Sequence, residues 1–311
     1  MSRAPGALLV VAGTALFGTI GTARVLGPGD ASSFAVACAR LAIASVLMIG
    51  LAMLAARRQR ASAAQQAALV PVLAPLLRAP VVWLAAVAQA SFQVCFLAAV
   101  VRTGVVTSTL VAIGTAPLLT GLIAAVRTRR PTPGWLASTS VGLVGLVLLV
   151  GVGAGRLDTA GLLLALGAAA SYAAYITAGV GLLRVRQPLG TTLAAVFTLA
   201  AVVVSPAVVL ADWGWLASGS GLLMIGWLAT VPTVLAYGLF NRGLRHVTAP
   251  AAATLGLVEP MVATALGVAV LGESVTAVQA VGAVLIGAAV VVVARLGPAP
   301  APVPEVTTGG R

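Results

Sequence analysis

The sequence predicts an all-α integral membrane protein of ten transmembrane helices, built as two inverted five-helix repeats with both termini cytoplasmic. Three observations carry that prediction. Of 311 residues, 60% are hydrophobic and 8% charged, against roughly 45–50% and 25% in a soluble chain. The apolar residues form runs from end to end, each close to the ~20 residues that cross a bilayer. The basic residues are eighteen arginines with no lysine, and they collect in alternate connections, as cytoplasmic loops should.

Read between charged and Pro/Gly breaks, the spans are 6–23, 31–55, 80–101, 105–126, 134–154, 160–180, 189–210, 217–240, 247–271 and 275–294. With the N-terminus inside, Arg3, the cluster Arg57, Arg58, Arg60 and Arg78, and the cluster Arg127, Arg129 and Arg130 are cytoplasmic. Arg184, Arg186, Arg242, Arg245, Arg295 and Arg311 join them, which makes fourteen; only Arg24, Arg102 and Arg156 fall outside. Asp30, Asp158, Asp212 and Glu273 also fall on the outer side. A missed helix would invert this parity from that point onward. The first run follows Arg3 as a signal sequence would, yet no cleavage site leads into a soluble domain, so it is expected to stay as a helix. Residues 61–78, with Gln65, Gln66, Pro71 and Pro75, are expected at the membrane interface. The proline-rich segment 295–311 is expected to be a disordered cytoplasmic tail.

A net charge of +12 and a pI near 11.7 would point a soluble chain toward nucleic acid. Here the arginines serve topology, and no basic arm carries interleaved aromatics, so no nucleic-acid partner is expected. Cys38 and Cys95 lie inside spans at no metal-ligand spacing. No metal or cofactor is expected.

The chain also resembles itself. RTGVVTSTLVAIGTAP (Arg102–Pro117) and RHVTAPAAATLGLVEP (Arg245–Pro260) align without gaps at an offset of 143. Phe17 in the first span and Tyr172 in the sixth sit at comparable points of their halves. Repeats over 6–154 and 160–294 would each hold five helices, and an odd number inverts one half relative to the other. Inverted repeats around a midplane site are a recurrent transporter plan.

Leu255 to Ala294, LGLVEPMVATALGVAVLGESVTAVQAVGAVLIGAAVVVVA, resembles the closing pattern of the EamA-like family of the drug/metabolite transporter superfamily. Glu259, Pro260, Gly272, Glu273, Thr276, Gln279, Gly282, Ile286 and Gly287 carry the likeness. FGTIGTARV (Phe17–Val25) is similar to the family's opening helix, where Trp is commoner than Phe17. Arg40 matches an arginine usual in the second helix, and YGLFNRGLRHVTA (Tyr237–Ala249) resembles the eighth helix and its link to the ninth. Thr115-Ala116-Pro117 stands where an acidic counterpart of Glu259 would fall, so the halves differ chemically. The resemblance implies secondary transport of small organic solutes by alternating access, most often export.

Two full charges lie within spans. Glu259 is the thirteenth residue of its span and Arg40 the tenth of its own, which places them about 18 Å and 14 Å from the nearer counted end at ~1.5 Å per residue. A midplane charge costs roughly 2.5–3.5 kcal/mol on insertion scales and usually has a function. Glu259 reads either as a contact for a solute amine or a coupling proton, or as a partner for backbone groups freed by Pro260. Arg40 reads first as structural. Gln89 and Gln93 share a helix face at a spacing of four; Thr230, Thr233, Tyr237 and Asn241 share another, and Ser171 and Tyr175 a third. The candidate solute contacts are Gln89, Gln93, Thr115, Tyr175, Thr233, Tyr237 and Glu259. Gly142, Gly145, Gly282 and Gly287 are expected at close helix contacts.

The expected function is secondary transport of a small organic metabolite, with an amino acid or related amphipathic solute as the fitting class, across the cytoplasmic membrane, outward, with proton coupling through Glu259. A homo-oligomer is compatible with this plan. The alternative class is an integral-membrane enzyme acting on a lipid or isoprenoid. It wants clustered acid/base, metal or phosphate-binding groups, whereas the spans hold one carboxylate and the whole chain one histidine.

Overall fold

The computed structural model describes residues 4–59, 75–128, 133–151, 158–185 and 187–296, and every regular element among them is helical. The helices are α1 (Pro5–Leu26), α2 (Ser33–Ala56), α3 (Pro80–Gly104), α4 (Thr107–Val126), α5 (Pro133–Val150), α6 (Thr159–Leu182), α7 (Leu189–Val204), α8 (Gly219–Gly243), α9 (Ala249–Leu271) and α10 (Ala277–Arg295). Nine of these described helices are long and apolar enough to cross a bilayer. This is a multi-pass, all-α membrane protein. The tail 297–311 and most of the interfacial stretch expected at 61–78 lie outside the described residues; 75–78 are helical, with Leu76 in the core.

The exception, α7, has 16 residues, about 24 Å against a hydrocarbon core of roughly 30 Å. Its α-helix ends at Val204 because Pro206 brings no N–H to the Val202 carbonyl. That oxygen accepts instead from the backbone N–H and the hydroxyl of Ser205, and a 3-10 turn, Ser205–Leu210, continues the chain. The span expected at 189–210 is therefore one α-helix and a tighter extension. Between α3 and α4 no loop intervenes: Gly104 reverses the chain at φ 83° and ψ 166°, a conformation without steric cost only for glycine.

Large apolar side chains cover the outside, with Leu223 78% and Val284 70% exposed. Water would not tolerate so continuous a surface, whereas lipid requires it.

Four pairings organise the bundle. α1 runs antiparallel to α8: Gly6 and Val10 meet Gly243, Gly13 meets Ala236 and Phe240, and Gly27 meets Met224. α3 runs antiparallel to α6 in the same way, Val81 against Gly181, Cys95 against Gly167 and Arg102 against Gly161. α2 packs on α7, and α5 on α10. At the last contact a Cβ on Gly145 would stand 2.7 Å from the Gly282 carbonyl oxygen, and one on Gly282 would stand 2.5 Å from the Leu149 nitrogen. Gly142 joins this ridge against Ala289, whereas Gly287 faces open space. We expect Gly282→Leu to lower stability by about 1–3 kcal/mol through overpacking and Gly287→Leu to change it little. Thermal unfolding of the detergent-solubilised protein compares the two.

The C-terminal end of α3 and the N-terminal end of α6 are joined by Arg102 and Asp158, 3.1 Å apart and both solvent-exposed. Asp158 also caps α6 by accepting from the Ala160 N–H. The hydrogen bond from Arg102 comes first among the causes that hold its carboxyl below the ordinary aspartate value of 3.8. A depressed folded-state pKa gives stability that is present above the unfolded value and fades as pH falls through the folded one. Asp158→Asn should therefore lower the thermal midpoint slightly at neutral pH, with the difference from the parent shrinking as pH falls below the ordinary aspartate range, read from midpoints measured across pH.

Candidate functional site

Two interrupted helices build the site. α9 is α-helical over Ala249–Leu255 and again over Val258–Leu271, with Gly256 and Leu257 between. The break puts Pro260 in the first turn of the second segment, where its missing N–H has no helical role to fill. The carbonyl four residues earlier, at Gly256, accepts the backbone N–H of Glu259 at 3.0 Å. The Glu259 side chain is thus not needed to satisfy it. α1 crosses α9 here: a Cβ on Gly18 would stand 2.7 Å from the Glu259 carbonyl oxygen, so only a glycine lets the backbones approach this closely.

α8 contains a π-helical turn, Thr230–Leu235, around Pro232. Such turns widen a helix and concentrate at functional sites. Pro232 would strand the Leu228 carbonyl, but the Thr233 hydroxyl donates to it at 2.7 Å. The widened turn presents the Pro232 ring and, one turn on, Tyr237 to the interior.

Between these elements lies a cavity of about 40 Å³, lined by Phe17 and Ile20 of α1, Arg40 of α2, Phe92 of α3, Ile113 of α4, Tyr172 of α6, Pro232 and Tyr237 of α8, and Glu259 of α9. That volume holds roughly three waters, well short of the hundreds of Å³ in a ligand pocket, so this conformation is constricted. One cation and one anion face the same space. Arg40 and Glu259 attract each other across it, yet no ion pair joins them among the described residues. The walls are aromatic, with Phe17 against Tyr237 at 4.9 Å on one side and Phe92 against Tyr172 at 5.6 Å on the other.

Of the residues read from sequence as solute contacts, Tyr237 and Glu259 reach the cavity. Gln89 stands behind Tyr237, its Oε1 accepting the Tyr237 hydroxyl at 3.0 Å and its Nε2 left without a partner. Gln93, one turn on, is buried with its Nε2 also unpartnered, while its neighbour Phe92 forms the wall. Tyr175 is fully buried, edge-on to Tyr237 at 5.4 Å, and its hydroxyl accepts from Asn241. It buttresses the wall and does not line it. Thr233 serves the Leu228 carbonyl, and Thr115 is half-buried on α4 while Ile113 supplies that helix's contact. Arg40, read first as structural, lines the cavity. Its signal was already present: a charge near the middle of a span.

The sequence pattern of the EamA-like transporter family matches residues 159–295. The uncharacterized transporter YwfM of Bacillus subtilis (strain 168) is 33% identical over 268 residues, covering 86% of each chain. The chain belongs to the EamA-like transporter family. An uncharacterized transporter of Archaeoglobus fulgidus shares 38% identity over 77 residues, 25% of this chain and 28% of that one. A solved crystal structure superposes on this EamA-like fold with a TM-score of 0.76 at 21% identity, covering 94% of this chain and 96% of the other. That likeness concerns the fold. The family match falls on α6 to α10, the part of the chain that contributes Tyr172, Pro232, Tyr237 and Glu259 to the cavity.

Proposed function

We propose that this EamA-like protein is a secondary transporter that moves a small organic metabolite, an amino acid or related amphipathic solute, out across the cytoplasmic membrane by alternating access. The observation that carries the reading is the cavity itself. It is charged and aromatic, sits mid-helix, and draws on seven helices from both halves of the chain. A buried structural cluster would pair its charges, whereas this one leaves Arg40 and Glu259 facing a common void.

The helix pairings support ten spans in two inverted halves, 6–154 and 160–294, with both ends cytoplasmic. Exchanging each helix for the one five places along converts α1–α8 into α6–α3 and returns α2–α7 and α5–α10 to themselves. Phe17–Tyr237 and Phe92–Tyr172 are exchanged by the same operation, so the two walls are equivalent and each takes one ring from each half. Rocking one half against the other would open and close the two sides in turn. The halves are chemically unequal, because α9 is broken at Gly256-Leu257 while α4 runs through Pro117 as a helix. The acid that carries the proton is on α9 alone.

The test is a comparison of metabolites released by cells with and without the protein, followed by transport of the best candidate in proteoliposomes of the purified chain. A released solute that the proteoliposomes also carry is the expected result. Identical release profiles, with no solute carried, would remove the transport reading. Release of a modified lipid in its place would favour the enzyme class.

A further inference from the structure

The α1–α8 pair and the α3–α6 pair flank the cavity, and they are joined at the end that carries His246, cytoplasmic in the topology proposed above. There Asn241 of α8 donates from Nδ2 to the Tyr175 hydroxyl of α6 at 3.1 Å, and Tyr237 donates to Gln89 of α3 at 3.0 Å. Beyond Asn241, Leu244 packs on Gly179, where a Cβ would stand 2.6 Å from its Cδ1. Val10, Val82, Leu182 and Leu244, one from each end of the four helices, belong to a single buried cluster. The first segment of α9 closes the same end by packing on the α3–α4 unit and on α6.

At the opposite end, which carries Asp158, each pair closes on itself. Arg102 and Thr103 of α3 pack on Gly161 of α6, and Gly27 beside α1 packs on Met224 of α8. The apolar cluster there, built on Ala35, Trp215, Met224 and Leu228, draws on α1, α2, α8 and the segment before α8, and on nothing from α3, α4 or α6. The second segment of α9 packs chiefly on α1 and α10. Among the described residues, no hydrogen bond joins the two pairs on this side.

Asn241 is suited to a contact that must release. It is fully buried, yet its Oδ1 has no partner, and neither has Nε2 of Gln89. An unpaired buried amide group is a standing cost that an apolar side chain would not carry. Water would reach both atoms if the pairs parted at this end. That relief brings the parted state closer in free energy to the joined one, as two interconverting states require. Tyr237 ties this end to the cavity: its ring lines the void, its hydroxyl meets Gln89, and its carbonyl accepts the Asn241 amide at 2.9 Å.

We infer that the Asn241–Tyr175 hydrogen bond latches a gate on the His246 side, and that in the conformation described the cavity communicates with the Asp158 side. This rests on the carrier reading and adds to it the residue that holds one of the two states.

The test places a single reporter cysteine at Ile20, in the cavity wall, in the full-length protein with Cys38 and Cys95 replaced by alanine. A membrane-impermeant methanethiosulfonate reagent is applied to one face or the other of vesicles holding the protein in a single orientation. The rate of modification from a face reads the population open to it, even when that population is small. We expect the reporter in the otherwise unchanged protein to react faster from the Asp158 face. Asn241→Ala should raise the rate from the His246 face roughly fivefold to a hundredfold, as loss of one buried hydrogen bond between two states can, without raising the rate from the Asp158 face. If Asn241→Ala does not fold, Tyr175→Phe removes the same bond with the ring in place and should act in the same direction. A protein that is merely loosened would gain rate from both faces, and that result would overturn the inference. So would an unchanged rate from the His246 face in the folded variant, or a reporter that reacts no faster from the Asp158 face before the bond is removed. The rates are read without solute, so whether the protein is a carrier is still decided separately by the metabolite-release comparison.

Discussion

Glu259→Gln should abolish proton-driven accumulation of solute and leave a slower downhill movement, because Glu259 also lines the cavity. One pH unit corresponds to about 1.4 kcal/mol per proton, a factor of ten in concentration. A carrier that exchanges one proton for one solute molecule should therefore concentrate solute up to about tenfold per pH unit into acidic-inside proteoliposomes. With glutamine at this position no proton is carried, and the ratio should fall to about one. The carboxylate is suited to the role because the backbone around Pro260 is satisfied without it: the Gly256 carbonyl already accepts the Glu259 N–H. The substitution leaves Arg40 facing the cavity with less compensation, so the thermal midpoint should be measured beside transport. A Glu259→Gln protein that still follows the pH gradient would remove Glu259 from coupling.

Replacing Tyr237 should have the largest effect on stability and transport together. Its ring meets Phe17 at 4.9 Å, Tyr175 at 5.4 Å and Phe197 at 4.8 Å, and its hydroxyl donates to Gln89. It therefore ties α1, α3, α6 and α7 to α8 at the level of the cavity. Tyr237→Ala should cost about 3–5 kcal/mol, as truncation of a packed aromatic does, and should eliminate transport. Tyr237→Phe keeps the ring and loses only the hydroxyl, which leaves the buried Gln89 amide with no partner at either end. About 1–3 kcal/mol follows from such a loss, and transport should persist at reduced affinity. Unfolding midpoints and initial rates for the pair separate the contribution of the ring from that of the hydroxyl. Equal effects of Ala and Phe would mean that the hydroxyl, and not the packing, holds the wall.

The helix pattern and the membrane class were legible in the linear chain because both depend on local quantities. Length and apolarity of each run decide whether a segment suits lipid, and proline and glycine positions decide where it stops. The 3-10 extension after Val204 follows from Pro206 in the same way. Close contacts at Gly142, Gly145 and Gly282 were also legible, since small residues four or so apart leave a helix one smooth face.

The candidate site was only partly legible. Spacing places polar residues on a common face of their own helix, but it does not say what that face meets. Thr233 and Tyr237 share a face of α8, yet one hydroxyl turns back to the Leu228 carbonyl that Pro232 strands and the other crosses to α3. Tyr175 and Tyr172 differ by three residues on α6, and only Tyr172 reaches the cavity. Arg40 could be recognised as costly at its depth, but its facing Glu259 depends on how α2 sits relative to the broken α9. Burial of a helix face can be read along one chain segment; whether a void or a neighbour lies beyond it is settled by the packing of all the helices at once.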